Sequence, residues 1–383
     1  MSAQQQIRKA QSRAVDAAQA VREFRDGVAQ QDMALVVFFC SSAYDLDALR
    51  EEMNLCFAGT RVVGCTTAGE IGPEAYCEHS LSGASLSSSA FTAATGLLDH
   101  LQHFSLNQGQ HFAQDMLREL TMQTDTAIPE NSFALLLIDG MSKREEQVAR
   151  AFQNSLGALP LFGGSAGDGL QFSATRVFHG GAFHDDAAVL VLVNTTLPFR
   201  IFKTEHFVAS EERLVVTAVD GTGRIVEEIN GLPAADEYGR LVGADPHDLD
   251  PMRFASSPVV VRISGADYVR SIQRANPDGS LSFYSAVEEG LVLRVAEGID
   301  LIENLEAALD QVRADIGGPP QLVLACDCIL RKLEAGQQGL KGRVEQIFRD
   351  HNTVGFSTYG EQIHGVHVNQ TLTGVAIGSP PRE

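Results

Sequence analysis

Residues 63–83 read VGCTTAGEIGPEAYCEHSLSG, and residues 354–374 read VGFSTYGEQIHGVHVNQTLTG. The two stretches align without a gap, and glycine, threonine, glutamate and leucine recur at the same places in both. A shorter relative of this pattern, GGSAGD, stands at residues 163–168. The chain therefore contains one polar, small-residue segment three times, which indicates three copies of one structural unit.

The residues around each copy follow one order of elements. In the first copy, Ala34–Phe39 is an unbroken apolar run, which is typical of a strand buried on both faces. A segment with Leu46, Leu49 and Met53 at helical spacing follows, and then a second apolar strand leads into the polar loop. Apolar strands that alternate with helices predict an α/β fold. Here we expect repeated strand–helix–strand–loop–strand units that form mixed sheets in two domains.

The two ends of the repeat region suggest the domain organisation. Apolar residues from Ile7 to Val28 recur at helical spacing, so we expect an N-terminal amphipathic helix within residues 1–32. Such a helix packs on the edge of a domain or forms an interface in a homodimer or with a partner. Past residue 220, short strands separated by turn residues precede the third copy. We predict one domain over residues 33–220 and a second over residues 221–383.

Composition excludes several classes of protein. The 383 residues are 44% hydrophobic, as in an ordinary globular chain, and the net charge of -20 argues against a nucleic-acid partner. No apolar run approaches the roughly 20 residues that span a bilayer, and the N-terminus lacks the apolar segment of a signal peptide. We therefore expect a cytoplasmic protein whose six cysteines are reduced thiols or metal ligands.

The repeated loops are the predicted ligand pocket. Loops at the carboxyl ends of strands bind ligands in open α/β sheets, and glycine lets the backbone approach a ligand closely. We expect the three loops to converge and line one cavity; the alternative is three tight turns that satisfy only themselves. The predicted pocket residues are Cys40, Ser41, Cys65, Thr66, Thr67, Gly69, Glu70, Ser165, Asp168, Ser357, Thr358, Gly360, Glu361 and Asn369.

The second loop also matches a hydrolase motif. Residues 163–167, GGSAG, fit the pattern G-x-S-x-G of a nucleophile elbow. That elbow requires a helix directly after the serine, and the following DGLQF does not open one. The repeat also aligns Ser165 with Thr67 and Thr358, which favours a shared turn over a nucleophile. We therefore predict no catalytic residues and no enzymatic activity.

Taken in order, the three loops resemble those of the FIST proteins, which have an N-terminal FIST domain and a FIST C domain. The resemblance covers roughly residues 33–380 and includes the segment RIVEEINGLPAADEYGRLVG at 224–243. It implies a sensor of small ligands that acts with histidine kinases and cyclic-di-GMP enzymes. The stretches CSSAYDLDAL, AYCEHSLSG and HVNQTLTGVAIG look most like the haem-binding, nitric-oxide-sensing NosP-like subset. That subset implies haem b, nitric oxide as the ligand and a partner histidine kinase.

Candidate iron ligands lie in or beside the loops. Haem iron accepts His, Cys, Met or Tyr, so His79, His367 and Cys77 are candidates, with His79 first because Glu78 and Glu74 are near in sequence. Cys326 and Cys328 could instead join other cysteines at an iron–sulfur cluster or zinc, although their spacing matches no standard motif.

Three functional hypotheses therefore stay open at the level of sequence. The chain is a haem-based nitric-oxide sensor, a sensor of a small organic ligand such as an amino acid, or an iron–sulfur or zinc protein.

Overall fold

Three strand-and-helix units make up most of the structure, a computed structural model that describes residues 6–124, 128–221, 223–263 and 265–380. The first unit consists of β1 (Ile7–Ser12), α1 (Ala17–Val28), β2 (Met33–Ser41), α2 (Leu46–Cys56), β3 (Val62–Thr67), β4 (Glu70–Gly72), β5 (Ala75–Cys77) and β6 (Leu81–Ser87). The polar loop joins β3 to β4, and the short β4–β5 hairpin follows it directly.

The second unit repeats this order with a longer loop. It consists of β7 (Phe91–Leu98), α3 (Leu106–Gln123), β8 (Ser132–Ile138), α4 (Glu145–Leu156), β9 (Leu161–Ser165), β10 (Val177–His179), β11 (Ala182–His184) and β12 (Ala188–Thr195). A strand β13 (Phe199–Thr204) leads out of it.

A separate body of β-structure follows before the third unit. It consists of β14 (Phe207–Val219), β15 (Ile225–Ile229), β16 (Leu232–Pro233), α5 (Ala234–Val242), α6 (Pro251–Ser256), β17 (Val259–Ile263), β18 (Ala266–Arg270), β19 (Ile272–Ala275), β20 (Leu281–Phe283) and β21 (Val292–Gly298). We call these residues the inserted body. Its eight strands form one sheet over a hydrophobic core of its own.

The third unit completes the chain. It consists of α7 (Leu301–Asp315), β22 (Leu322–Cys328), α8 (Ile329–Gln337), α9 (Lys341–Asp350), β23 (Thr353–Thr358), β24 (Glu361–Ile363), β25 (Val366–Val368) and β26 (Leu372–Ile377). None of the helices in the described ranges is both long and apolar enough to cross a membrane.

The three units exchange their hairpins in a ring. Over the described residues they form three six-stranded sheets, ordered β1-β6-β2-β3-β10-β11, β25-β24-β9-β8-β12-β7 and β13-β26-β22-β23-β4-β5. The β4–β5 hairpin of unit one joins unit three, that of unit two (β10–β11) joins unit one, and that of unit three (β24–β25) joins unit two. In each sheet one strand pair is parallel and the others are antiparallel, so the predicted mixed α/β sheets are confirmed.

The inner faces of the three sheets share one core. Leu35, Val37 and Phe39 of β2 point into it, and Phe39 stacks on Phe356 of the third unit with ring centroids 4.6 Å apart. The alternate β2 residues pack instead under α1 and α2. This burial of both faces explains the unbroken apolar runs in the sequence.

The N-terminal prediction is wrong in its first half. Residues 7–12 form β1, which pairs antiparallel with β6, and only Ala17–Val28 is helical, beginning after the N-cap Asp16. The buried residues of β1 are Ile7, Ala10 and Ser12, which do not alternate strictly, and the spacing of Ile7 and Ala10 fits a helix equally well. Residues 1–5 of the predicted segment lie outside the described residues.

The predicted boundary at residue 220 falls in the turn between two paired strands, β14 and β15. The chain enters and leaves the inserted body at neighbouring points, since the Ile299 N–H donates to the His206 carbonyl at 2.8 Å. Residues after that point rejoin the three-unit body, because β22, β23 and β26 build its third sheet. A division by sequence position alone could not anticipate this return.

Candidate functional site

The three repeated loops meet at one end of the shared core. We call residues 65–70, 164–176 and 356–361 the loop junction. Backbone hydrogen bonds join all three loops, from Gly167 N to Thr66 O (3.0 Å), from Ala68 N to Ser357 O (2.9 Å) and from Ser165 N to Gly360 O (2.8 Å). The predicted convergence is therefore found, but the loops contact one another directly at this point.

Two loops carry the same buried acid. Glu70 accepts hydrogen bonds from Thr67 Oγ1 at 2.5 Å and from Ser80 Oγ at 2.8 Å. Glu361 accepts from Thr358 Oγ1 and from Thr371 Oγ1 in the same arrangement. Burial raises the pKa of both acids, that of Glu361 to about 8. Each acid therefore hydrogen-bonds within its own loop, as expected for the alternative of tight turns that satisfy only themselves.

The second loop does not repeat that arrangement. Strand pairing places Ser165 at the position of Thr66 and Ser357, and not at that of Thr67 and Thr358 as we expected. The loop from β9 to β10 is longer than its counterparts, so an alignment through its glycines drifts by one residue. Asp168 consequently has no counterpart in the other loops.

Asp168 holds the long loop in shape. Its carboxylate accepts backbone N–H groups of Phe172, Ser173 and Ala174, each at 2.8 Å, and the hydroxyl of Tyr359 from the third loop. These hydrogen bonds lower its pKa against the opposing effect of burial. Asp168 therefore ties two loops together.

The cysteines of the pocket prediction, Cys40 and Cys65, and those of the iron–sulfur or zinc prediction, Cys326 and Cys328, are core residues. Cys40, Cys65, Cys326 and Cys328 are all buried, and burial raises the pKa of each thiol well above its ordinary value. Within the described ranges no group of three or more His, Cys, Asp or Glu side chains is placed to hold a metal ion. The iron–sulfur and zinc hypothesis thus gains no ligand set from the fold.

His79 and Cys77 lie away from the junction's centre. His79 is exposed on a left-handed turn (φ 55°) and lines a cavity of about 410 Å³ with Ser41 and Tyr44. The two acids expected to orient it are engaged elsewhere, Glu74 with Arg13 at 3.0 Å and Glu78 with Lys332 at 3.5 Å. The half-buried Cys77 makes only a weak contact to the Glu78 carbonyl.

The hairpins reveal where one unit differs from the others. Tyr76, Phe183 and His367 occupy equivalent positions in the three hairpins, paired with Ile71, Phe178 and Gln362. The Tyr76 hydroxyl donates a hydrogen bond to Asp327, and the Phe183 ring packs against Phe38 and Phe178. His367 instead lines an open cavity.

That cavity lies between the second unit, the third hairpin and the inserted body, and we call it the His367 cleft. Its volume is about 500 Å³. Its lining residues are Glu146, Arg150, Gln153, Asn154, Val261, Ile263, Arg270, Ala286, Glu288, Leu291, His364, Gly365, Val366 and His367. A cleft between bodies, partly apolar and with a few convergent polar groups, is the usual form of a small-molecule site.

Arg270 is the main charge in the wall of this cleft. Its side chain lies at the end of β18, and the residue is 7% exposed. Nη1 donates to the His367 carbonyl at 2.6 Å, but Nε is buried without a partner, and Nη2 makes no hydrogen bond within the described residues. The Nε–Nη2 edge of a guanidinium, when it has no partner in the protein, matches the two oxygens of a carboxylate.

The neighbours of His367 define the state of its ring. Gln362 Nε2 lies 3.4 Å from the Gly360 carbonyl, which can only accept, so this atom is the amide nitrogen, and it also donates to His367 Nδ1 at 3.1 Å. The proton of the neutral ring is therefore on Nε2. Burial, assisted by Arg224 and Arg270 and opposed by Glu146, lowers the pKa of His367 to about 4. The ring is therefore neutral at pH 7.

Two acids beside the cleft, Glu145 and Glu146, are already engaged. Glu146 accepts from the Ala286 N–H at 2.7 Å and from Arg224 Nη2 at 3.3 Å. Burial raises the pKa of its neighbour Glu145, although Arg224 acts against this shift. The charged residues in the lining are Arg150 and Arg270 on one side and Glu146 and Glu288 on the other. Because Glu146 is paired with Arg224, the buried guanidinium of Arg270 is left to bind an anion.

A haem ligated by His367 does not fit this arrangement. A ligand imidazole usually donates its second N–H to a carbonyl or carboxylate, whereas His367 Nδ1 accepts from Gln362. Gly360 packs against the Cε1–Nε2 edge of the ring, where an added Cβ would lie 2.2 Å from Cε1 and 2.7 Å from Nε2. The charged Arg270 and Glu146 also line the space a porphyrin face would need. His79, which is exposed on its turn, stays a haem candidate.

Several residues of this cleft escaped the sequence analysis. Of the predicted pocket, Gly360 and Asn369 lie against the His367 ring, and Asn369 Oδ1 is buried with no partner among the described residues. Arg270, Gln362 and Glu146 were not anticipated. Arg270 is flanked by ordinary strand residues, so only the fold shows that it reaches the third unit. The one available signal was that His367 breaks the apolar character of its hairpin position.

Similarity to known proteins extends over most of the chain. No curated protein matches it. Among solved structures, the crystal structure of a chorismatase is similar over 91% of this chain and 94% of its own, with a TM-score of 0.35 and 8% identity. The FIST N domain matches residues 34–232 and the FIST C domain matches residues 234–364. The chain therefore belongs to the FIST family of signalling sensor domains, and it carries both FIST domains.

Proposed function

We propose that the chain is a sensor that binds a small organic carboxylate, with amino acids as the first class to test, in the His367 cleft. The observation that supports this is Arg270, a buried guanidinium in the wall of the cavity whose Nε and Nη2 lack any partner among the described residues. An unpaired buried polar group is costly, so a native one calls for a ligand or water to complete it.

Binding at this cleft would bias the position of the inserted body. The cleft is walled by α4 on one side and by β17 and β18 on the other, so a ligand that contacts both favours their closed arrangement. A ligand shifts such an equilibrium only by its differential affinity for the two arrangements. The change would then reach a partner protein, for which a histidine kinase is the expectation from the family resemblance.

The proposal is tested by thermal unfolding of the purified chain against a panel of the common amino acids. Binding to the folded state alone stabilises it by about 2.7 kcal/mol at a ligand concentration of 100 times Kd. Arg270→Lys keeps the charge but loses the bidentate edge, and we expect it to abolish the stabilisation. Arg262→Lys, on the neighbouring strand and paired with Asp267 at 2.8 Å, is the matched control. A panel without a hit, or stabilisation that persists in Arg270→Lys, contradicts the proposal.

Haem sensing is the competing hypothesis and has its own measurement. Titration of the purified chain with haem would give a Soret band that shifts with nitric oxide if the NosP-like resemblance extends to function. If His367→Ala removed that band, our assignment of the cleft would be overturned. If His79→Ala removed it instead, haem and the carboxylate would occupy different sites.

A further inference from the structure

A second cation faces the His367 cleft. Arg150 lies one turn after Glu146 on α4, and its side chain is exposed at the mouth of the cavity. Residues four apart on a helix often form an ion pair, but Glu146 is bound to Arg224 and Ala286 instead. Arg150 therefore makes no hydrogen bond or ion pair within the described part of the chain. Its charge is available to a ligand.

The two guanidinium groups differ in depth. Arg270 is buried in the wall beside His367, whereas Arg150 is exposed to solvent at the rim. Apolar side chains of Val261, Leu291 and Val366 line the same cavity. A ligand that satisfies this lining has an anionic group at each end and a short hydrocarbon between them.

One acid completes the set of charges. Glu288 lines the cleft, and its carboxylate has no partner in the described ranges. A carboxylate beside two cations suits an ammonium group on the ligand. We infer that the ligand is an acidic amino acid, a dicarboxylate with one ammonium group, and this inference rests on the function proposed above. Arg270 would bind one carboxylate and Arg150 the other, which makes Arg150 the residue that determines specificity.

The test compares two ligands that differ only in the distal group. Isothermal titration measures the affinity of the full chain for L-glutamate and for L-glutamine, which replaces the distal carboxylate with a neutral amide. A charge-assisted contact predicts that glutamate binds about 10-fold more tightly. Arg150→Gln should weaken glutamate binding by about the same factor and leave glutamine binding unchanged. Arg118→Gln, an exposed arginine on α3 paired with Asp115, is the control and should alter neither.

The outcomes separate this inference from the function on which it rests. Equal affinity for the two ligands, or a preference for glutamate that survives Arg150→Gln, overturns the inference and leaves a carboxylate sensor in place. If Arg270→Lys and the original chain both fail to bind either ligand, and the wider panel also fails, the proposed function itself is overturned. Because Arg150 is exposed and unpaired, its substitution leaves folding intact.

Discussion

At the scale of single residues, the buried acids of the loop junction have the clearest physical consequence. Glu361 is fully buried and is surrounded by the hydroxyls of Thr358 and Thr371. Hydrogen bonds from these groups favour the ionised carboxylate, but burial has the larger effect and raises its pKa to about 8. The protein therefore keeps at neutral pH a carboxyl that is mostly protonated when folded.

This gives a pH dependence with a defined sign. Between the ordinary pKa of 4.5 and the folded value of about 8, the Glu361 carboxyl binds its proton more strongly in the folded chain than in the unfolded chain. The contribution of Glu361 to the free energy of unfolding is therefore expected to fall as pH rises from 5 to 8. Urea unfolding at several pH values should show a shallower decline for Glu361→Gln than for the original protein. Glu51→Gln, an exposed acid on α2, should decline in parallel with the original; equal slopes in all three would contradict the prediction.

At the scale of elements, the sequence anticipated the repeated strands and helices well because their patterns are long and strongly apolar. The prediction of a helix at β1 was wrong, because Ala10 and Ser12 are too small to distinguish the two-residue period of a strand from the period of a helix. The pairing of each hairpin with another unit could not be predicted, because the hairpin strands are only three residues long and any free sheet edge could pair with them.

Helix ends provide a direct test at this scale. Asp300 caps α7, with its carboxylate accepting the N–H groups of Ile302 and Glu303 at 2.8 Å. Asp300→Ala should lower the free energy of unfolding by about 1 kcal/mol, as loss of an N-cap does. Asp310→Ala, an exposed position on the same helix, should be neutral or slightly stabilising because alanine is the better helix former. Urea unfolding with an unchanged m value measures both, and equal effects would refute the capping role.

At the scale of the whole molecule, charged groups connect the inserted body to the second unit. Arg224 lies between β14 and β15 and contacts Glu145 and Glu146 on α4 at 3.1 and 3.3 Å. It also donates to the Tyr284 carbonyl. The convergence of the loops could be predicted from their repetition, but this contact joins residues almost 80 positions apart without any motif. This contact holds the inserted body beside α4, where the His367 cleft lies, so the cleft could not be predicted from the sequence.

Removal of Arg224 should loosen the inserted body selectively. Breaking a buried ion pair by deleting one partner costs roughly 3 kcal/mol. In Arg224→Gln we expect faster hydrogen exchange in residues 283–287 and at the start of α4, with β8 in the shared core unchanged. Arg213→Gln, an exposed arginine in β14, should leave exchange as it was. Uniformly faster exchange throughout the chain would indicate global destabilisation and count against a local role.

The ring of exchanged hairpins has a consequence for synthesis on the ribosome. The open edge of β9 is covered by β24, which begins at Glu361, so that edge is exposed until translation has passed residue 363. Contacts over such separations form slowly, and exposed strand edges invite association between nascent chains. A ribosome-bound fragment that ends before Glu361 should thus depend on chaperones, whereas the released full-length chain should not.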